Sequence, residues 1–306
     1  LSFKITILGC SGALPMYGRH PSAQLIEIEN RCFLVDCGEA VQMQLMKFQV
    51  NFHKINHIFI SHLHGDHYLG LVGLIFTMHL QRRTNDLHLY SHRGLDEIIT
   101  TQFRYSRSWP NFKIVFHRLE KDVKEIIFED NLITVETIPL LHKIRCSGFL
   151  FREKPKQRRI DKSKLPPNLT VRQLGGLKVG EDVKDESGTV IYKNEDLTVQ
   201  PKQSRSYAYC SDTAYHEGIV GQIKNIDLLY HEATFTKQDE TRARETLHST
   251  AQHAATIAQK ADVKKLLIGH FSARYKDLAP LLEEAQTIFS NTLLAQEGES
   301  YAIHEN

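Results

Sequence analysis

The chain has 306 residues, 41% hydrophobic and 24% charged, enough apolar material for a sizeable core and too much for a disordered polymer. Lys and Arg number 38 against 36 Asp and Glu, so a globally basic nucleic-acid binder is excluded and any such role needs a local patch. No apolar run reaches the roughly 18 residues of a membrane span, and Leu1 to Leu8 does not read as a secretory leader.

In chain order, Phe3 to Leu8 alternates as a half-buried strand, and Gly9, Ser11, Gly12 and Pro15 mark a loop. Ala23 to Glu29 and Arg31 to Asp36 form a predicted hairpin about Asn30. A helix over Glu39 to Phe48, a strand over His57 to Ser61 and a second helix over Leu69 to Leu80 follow. Strands are predicted near Leu87 to Tyr90, Lys113 to His117, Ile126 to Phe128, Leu132 to Ile138 and Ser147 to Phe151. The chain then returns to β/α alternation, with strands Tyr207 to Cys210, Leu228 to His231 and Leu266 to Ile268 and helices near Tyr215 to Ile223 and Thr250 to Ala261. Hairpins mixed with β/α units predict an α/β protein of two mixed sheets covered by helices.

From Arg152 to about Asp185 the periodicity lapses. Between Arg152 and Lys164, Arg152, Lys154, Lys156, Arg158, Arg159, Lys162 and Lys164 oppose only Glu153 and Asp161, a local charge of +5. A solvated loop accounts for such a run, yet long irregular insertions in compact domains are uncommon unless functional.

The 5 cysteines, Cys10, Cys32, Cys37, Cys146 and Cys210, are scattered without a CxxC pair, which predicts reduced thiols in a cytoplasmic protein. The 17 histidines stand out more. His62-Leu63-His64-Gly65-Asp66-His67 lies between a predicted strand and a predicted helix, at the carboxyl end of a strand, where α/β sheets carry their sites. Three imidazoles and a carboxylate this close suit zinc or another borderline divalent metal. A single catalytic zinc takes about three protein ligands, so four in one motif predict more than one ion. His142, Asp212 and His270 follow other predicted strands and are candidates for the remaining positions.

This ordering of ligands resembles the metallo-β-lactamase superfamily. The runs Leu8 to Pro15, Asp36 to Gln42, His231-Glu232-Ala233-Thr234, His248-Ser249-Thr250 and His270 to Tyr275 narrow the resemblance to the short form of the ribonuclease Z family. The resemblance implies one αββα sandwich domain over 1–306 with a protruding, flexible basic arm at 152–185 that binds tRNA. It implies two Zn²⁺ ions, with Mn²⁺ or another divalent metal as a substitute: His62, His64 and His142 on one, Asp66, His67 and His270 on the other, and Asp212 between them. It further implies a homodimer, not associated with membranes, that removes the 3′ trailer of pre-tRNA. Ser211 stands where the family often has Gly, Pro201-Lys202-Gln203-Ser204-Arg205 carries its Lys one place early, and Leu174-Gly175-Gly176-Leu177 stands where the arm has a Gly-Pro element.

Phosphodiester hydrolysis at neutral pH fits such a pair of ions, which activate water and neutralise phosphate oxygens when about 3.5–4 Å apart. Asp66 is the expected partner of that water. His248 is the expected acid for the leaving 3′-oxygen, at a helix N-terminus capped by Ser249 and Gln252, and Glu232 is expected to hold its ring protonated. Arg274 and Ser272, beside a metal ligand, are candidates for phosphate binding, and Lys154, Lys156, Arg158, Arg159, Lys162 and Lys164 for tRNA binding. Two alternatives use the same residues: a hydrolase of a small ester, lactone or phosphodiester, against which the basic segment and His248 weigh, and a non-catalytic RNA-binding module with structural metal, against which the excess of ligands weighs.

Overall fold

Strands that are mostly buried along their length assemble into two seven-stranded sheets in the computed structural model, which describes residues 2–120 and 123–305. Leu1 and Asn306, the ends of the expected domain, lie outside the described residues. Two compact units result. One runs to Arg152 and resumes from Ser206 to His304; the other is Glu153–Arg205 with Glu305.

In the first unit, one sheet has the order Ser300–Ala302, Phe3–Gly9, Ala23–Ile28, Arg31–Val35, Ile55–Phe59, Leu87–Ser91, Ile114–Arg118. The first four are antiparallel neighbours, and Ala23–Ile28 with Arg31–Val35 is the predicted hairpin. From Arg31–Val35 onward the pairing is parallel. The second sheet has the order Thr292–Leu294, Leu266–Gly269, Leu228–Glu232, Ser206–Cys210, Ser147–Glu153, Ile133–Pro139, Ile126–Glu129, and its first four strands are parallel.

The sheets face each other across an aromatic layer: Phe33 meets Phe151 at 5.6 Å between ring centroids and Phe59 meets Phe149 at 5.4 Å. Each outer face is covered by helices. Val41–Lys47, Leu71–Leu80 and Leu95–Ser106 bury Leu45, Leu74, Ile75, Ile99 and Phe103 against the first sheet. Ala251–Lys260 and Ala279–Gln286 pack Ala254, Ile257, Ala258 and Leu281 into the core of the second. This is the αββα sandwich expected from the sequence. No helix among the described residues is long and apolar enough to cross a membrane.

Three differences from the sequence reading have physical causes. The helix expected at Tyr215 to Ile223 is only the 3₁₀ turn Glu217–Ile219, because Gly218 and Gly221 weaken helical continuation while Ile219 and Ile223 are still buried through turns. Leu95–Ser106, absent from the predicted elements, is held by Leu95, Ile99 and Phe103 at four-residue spacing. The expected cap of Ala251–Lys260 shifts by one: Thr250 accepts from the His253 amide at 3.2 Å, His253 replaces Gln252, and Ser249 donates to the Thr213 carbonyl at 2.8 Å.

The second unit overlaps the expected 152–185 arm and continues past Asp185 to Arg205. Turns and caps organise it where periodicity is absent. Thr170 and Gln173 form a capping box on helix Val171–Lys178, Arg159–Ile160 pairs with Thr198–Val199, and Leu177, Val183 and Leu197 make a small core. Arg205 grips buried Glu153 through Nε at 3.0 Å and Nη2 at 2.6 Å.

Candidate metal centre

Strand ends deliver the ligands. His62 and His64 follow Ile55–Phe59, and Asp66 and His67 sit in the short helix Gly65–Tyr68 with His64 as its N-cap. His142 follows Ile133–Pro139, Asp212 follows Ser206–Cys210, and His270 directly follows Leu266–Gly269. The seven residues converge into two sets. In one, His62 Nε2 and His142 Nε2 lie 3.0 and 3.2 Å from His64 Nδ1 and 3.5 and 3.6 Å from Asp212 Oδ2. In the other, His67 Nε2 and His270 Nε2 each lie 3.4 Å from Asp66 Oδ2 and 3.2 and 3.1 Å from Asp212 Oδ1. Asp212 thus turns one oxygen toward each set.

The remote nitrogen of four imidazoles is bound elsewhere, and this selects the nitrogen that faces the cluster. His67 Nδ1 donates to Asp36 Oδ2 at 2.7 Å and His142 Nδ1 to the Leu247 carbonyl at 3.0 Å. His62 Nδ1 donates to Ser61 Oγ at 3.0 Å, whose hydroxyl donates to Asp36 at 2.9 Å. His270 Nδ1 donates to Thr234 Oγ1 at 2.9 Å, and that hydroxyl donates to Glu232 Oε2 at 2.5 Å. His67 Nε2 is buried and makes no hydrogen bond, although carboxylates stand close on both sides. A buried ring nitrogen without a hydrogen bond, facing oxygens and other nitrogens, fits a metal ion as its partner.

Local backbone geometry supports this convergence. Asp36, Leu247 and His270 adopt left-handed conformations, with φ of 55°, 55° and 59°. Such strain in residues without glycine's freedom persists only where surroundings fix it. A Cβ on Gly12 would stand 2.7 Å from the His270 ring, so glycine is required there.

Electrostatics separate the histidines. Burial pushes His62 well below the ordinary imidazole range, aided by its histidine neighbours, and His64 and His142 shift down by burial too. For His67 burial acts in the same sense but is outweighed by Asp212, Asp66 and Asp36, which hold the ring protonated when no metal is bound. His248 lies outside both sets, with Nε2 3.9 Å from Asp212 Oδ2. Its Nδ1 donates to Glu232 Oε1 at 2.8 Å, and that carboxylate overcomes burial to push the ring up to about 9. Glu232 is itself fixed by the Thr213 amide at 2.8 Å. The cluster opens on a cavity of about 370 Å³ whose wall includes His248, Ser272, Arg274, Phe235 and Leu14.

The remaining sequence candidates are placed as follows. Arg274 pairs with Asp239 at 2.7 Å and lies over the Phe235 ring, and Ser272 Oγ accepts from the Arg274 amide at 3.4 Å. In the second unit Lys156 pairs with Glu305 at 2.6 Å and Glu153 at 3.0 Å, and Arg158 bonds Thr198 and Gln200. Lys154 is half-buried, while Arg159, Lys162 and Lys164 are exposed. Sequence reasoning gave no role to Asp36, Thr234 or Ser61. The first two lie in runs that carry the family resemblance, Asp36 to Gln42 and His231 to Thr234, and Ser61 adjoins the metal motif. Ser211, the departure from Gly, donates to Asp212 Oδ1 at 2.9 Å.

Comparison with known proteins accords with this geometry. A family model described as Anti-Pycsar protein Apyc1 matches residues 3–144, the part that holds His62 to His67 and His142. The Bacillus subtilis metallo-β-lactamase fold protein YhfI superposes with a TM-score of 0.69 at 21% identity, over 98% of both chains. Human tRNase Z, short form, superposes with a TM-score of 0.71 at 27% identity, over 97% of this chain and 98% of that one. Two helix-covered sheets with a histidine and aspartate cluster at their strand ends define a hydrolase of the metallo-β-lactamase fold. A ribonuclease Z from Cytophaga hutchinsonii is 48% identical over 305 residues, covering 100% of this chain and 97% of its own. The chain therefore belongs to the ribonuclease Z family and is an endoribonuclease.

Proposed function

We propose that this chain, by its family an endoribonuclease of tRNA 3′-end processing, uses two divalent metal ions to cut the precursor after the discriminator nucleotide. The products are a tRNA 3′-hydroxyl and a 5′-phosphorylated trailer. The observation that carries this reading is the division of the Asp212 oxygens between two ligand sets, His62, His64 and His142 on one side and Asp66, His67 and His270 on the other. Imidazole-rich sets with carboxylates suit zinc, with Mn²⁺ as a substitute. When bound, the ions supply Lewis-acid stabilisation of phosphate oxygens and a nucleophile at neutral pH.

The chain's own residues then divide the work. Asp66, whose Oδ2 accepts the Ala13 amide at 2.8 Å, is fixed to orient the attacking water and take its proton. His248 carries a proton on Nε2 and gives it to the departing 3′-oxygen, while Glu232 holds the ring through Nδ1. Exposed Arg159, Lys162 and Lys164 are the strongest candidates for grip on the tRNA backbone. The five described cysteines are buried and free, in keeping with a cytoplasmic enzyme, and the homodimer implied by the family completes the reading.

Metal-loaded protein incubated with 5′-labelled pre-tRNA should yield one product ending at the discriminator nucleotide. Absence of cleavage, or products cut at many sites, overturns the proposal.

A further inference from the structure

Between the first strand and the hairpin, the chain makes a loop that forms one lip of the catalytic cavity. Ala13 and Leu14 line the cavity, and Leu14 keeps 56% of its surface exposed. Two residues on, Met16 and Arg19 pair across a tight turn in which the Arg19 amide donates to the Met16 carbonyl at 3.0 Å. Its central residues, Tyr17 and Gly18, have φ of 56° and 74°. Glycine adopts this conformation freely, whereas a tyrosine is strained in it.

The strained tyrosine is exposed over half its surface, and its ring is backed by a fixed cation. Arg19 Cζ lies 5.3 Å from the Tyr17 ring centroid. The guanidinium is tied down by the carbonyls of Tyr275, at 2.5 Å from Nη2, and Lys276, at 3.4 Å from Nη1. Tyr275 immediately follows Arg274 of the cavity wall, so Arg19 fastens the turn to a second segment that lines the cavity. An aromatic ring held against a guanidinium, three residues along the chain from Leu14 of the cavity wall, has the chemistry of a base-stacking platform. Backbone strain at such a position is a cost that folding alone does not require, since glycine or asparagine would close the same turn.

We infer that Tyr17 is a specificity-determining residue that stacks an unpaired nucleobase flanking the scissile phosphate, with Arg19 as its brace. This deepens the proposed function and rests on it. The stack holds the single-stranded end of the substrate in register with the metal cluster. Arg19 also places positive charge beside the phosphates on either side of that base.

The test compares wild type, Tyr17→Gly, Tyr17→Ala and Tyr17→Trp on pre-tRNA and on two precursors with an abasic residue at one or other nucleotide flanking the cut. Tyr17→Ala and Tyr17→Gly should lose about 5- to 150-fold in kcat/KM on the intact precursor, the range of one base–aromatic stack. Tyr17→Trp should retain most activity. On one of the two abasic precursors wild type should fall to the level of Tyr17→Ala, and the substitution should cost nothing more. Tyr17→Gly should leave Tm unchanged or higher, because strain is removed, so loss of activity there is not loss of fold. Equal losses from Tyr17→Ala on intact and both abasic precursors would overturn the inference, as would wild-type activity in Tyr17→Gly. If wild type fails to cut pre-tRNA at all, the proposed function falls, and this inference with it.

Discussion

His67 donates a hydrogen bond from Nδ1–H to the fully buried carboxylate of Asp36 at 2.7 Å, and this bond fixes Nε2 as the nitrogen that faces the metal cluster. Asp36 Oδ2 also receives the Tyr209 hydroxyl at 2.6 Å, so the ring is oriented from the far sheet as well as from its own. Partners of this kind are worth about 10- to 100-fold in metal affinity. Asp36→Asn should weaken binding of the ion on the His67 side by that factor and, because Asp36 also holds His62 through the Ser61 hydroxyl, the other ion by less, as measured by chelator competition. Unchanged affinity for both ions would show that His67 needs no such anchor.

Asp212 faces both ligand sets, so its removal should be felt by both. Wild type should hold about two ions per chain, since seven ligands exceed what one ion can use. Asp212→Ala should retain no more than one, read by elemental analysis of dialysed protein. One tightly held ion in wild type, unchanged in the variant, would contradict the dinuclear arrangement. Ser211→Ala removes only the 2.9 Å hydrogen bond to Asp212 Oδ1 and should keep both ions.

His248→Ala should retain metal and tRNA binding and lose about 10² to 10⁴ in turnover, the usual worth of a general acid. A precursor with sulfur in place of the leaving 3′-oxygen needs little protonation at that atom. The variant should approach wild type on this substrate. A deficit of the same size on both substrates would remove His248 from the role of acid.

The candidate ligands stand out in the sequence because chemistry and position coincide: His62, His64, Asp66 and His67 share one short run, and His142, Asp212 and His270 each follow a short apolar run that reads as a strand. The supports were harder. Asp36 and Thr234 are ordinary polar residues until folding brings Asp36 under His67 and Thr234 beneath His270. The cap of Ala251–Lys260 was misread by one place because Ser249 and Thr250 are both competent caps, and burial of the Ser249 hydroxyl on Thr213 decides between them. In the segment after Arg152, order comes from turns and from Leu177, Val183 and Leu197, a core too small to leave a periodic signature.

Away from the metal site, His57 stacks on His88 at 4.9 Å and meets Phe128 edge-on at 4.7 Å. Burial, then the neighbouring His88 and His117, pushes His57 down to about 4, only partly opposed by Asp130. A ring with a folded pKa below its unfolded value contributes stability that is complete above about 6.5 and lost as pH falls through about 4. The loss should reach about 2 kcal/mol by pH 5, at 1.36 kcal/mol per pKa unit. His57→Phe abolishes that titration, so urea midpoints of variant and wild type should diverge in the variant's favour between pH 7 and pH 5. Parallel curves would mean that His57 is already solvated in the folded state.

The basic residues after Arg152 fall into two groups whose replacement should differ. Lys156 is committed to Glu153 and Glu305, and Arg158 to Thr198 and Gln200, so both are engaged in holding their own unit together. Arg159, Lys162 and Lys164 present charge to solvent, with Lys164 only loosely paired to Asp161 at 3.8 Å. RNA duplexes are recognised mostly through backbone and shape, and each phosphate contact adds to the salt dependence of binding through counterion release. Neutralising Arg159, Lys162 and Lys164 together should therefore weaken pre-tRNA binding and flatten its salt dependence, while a small chromogenic phosphodiester is hydrolysed as before. Lys156→Met with Arg158→Met should instead raise protease sensitivity within the unit. If the outward triple variant binds pre-tRNA like wild type across the salt range, those charges are solvated surface, and tRNA selectivity must come from another part of the chain.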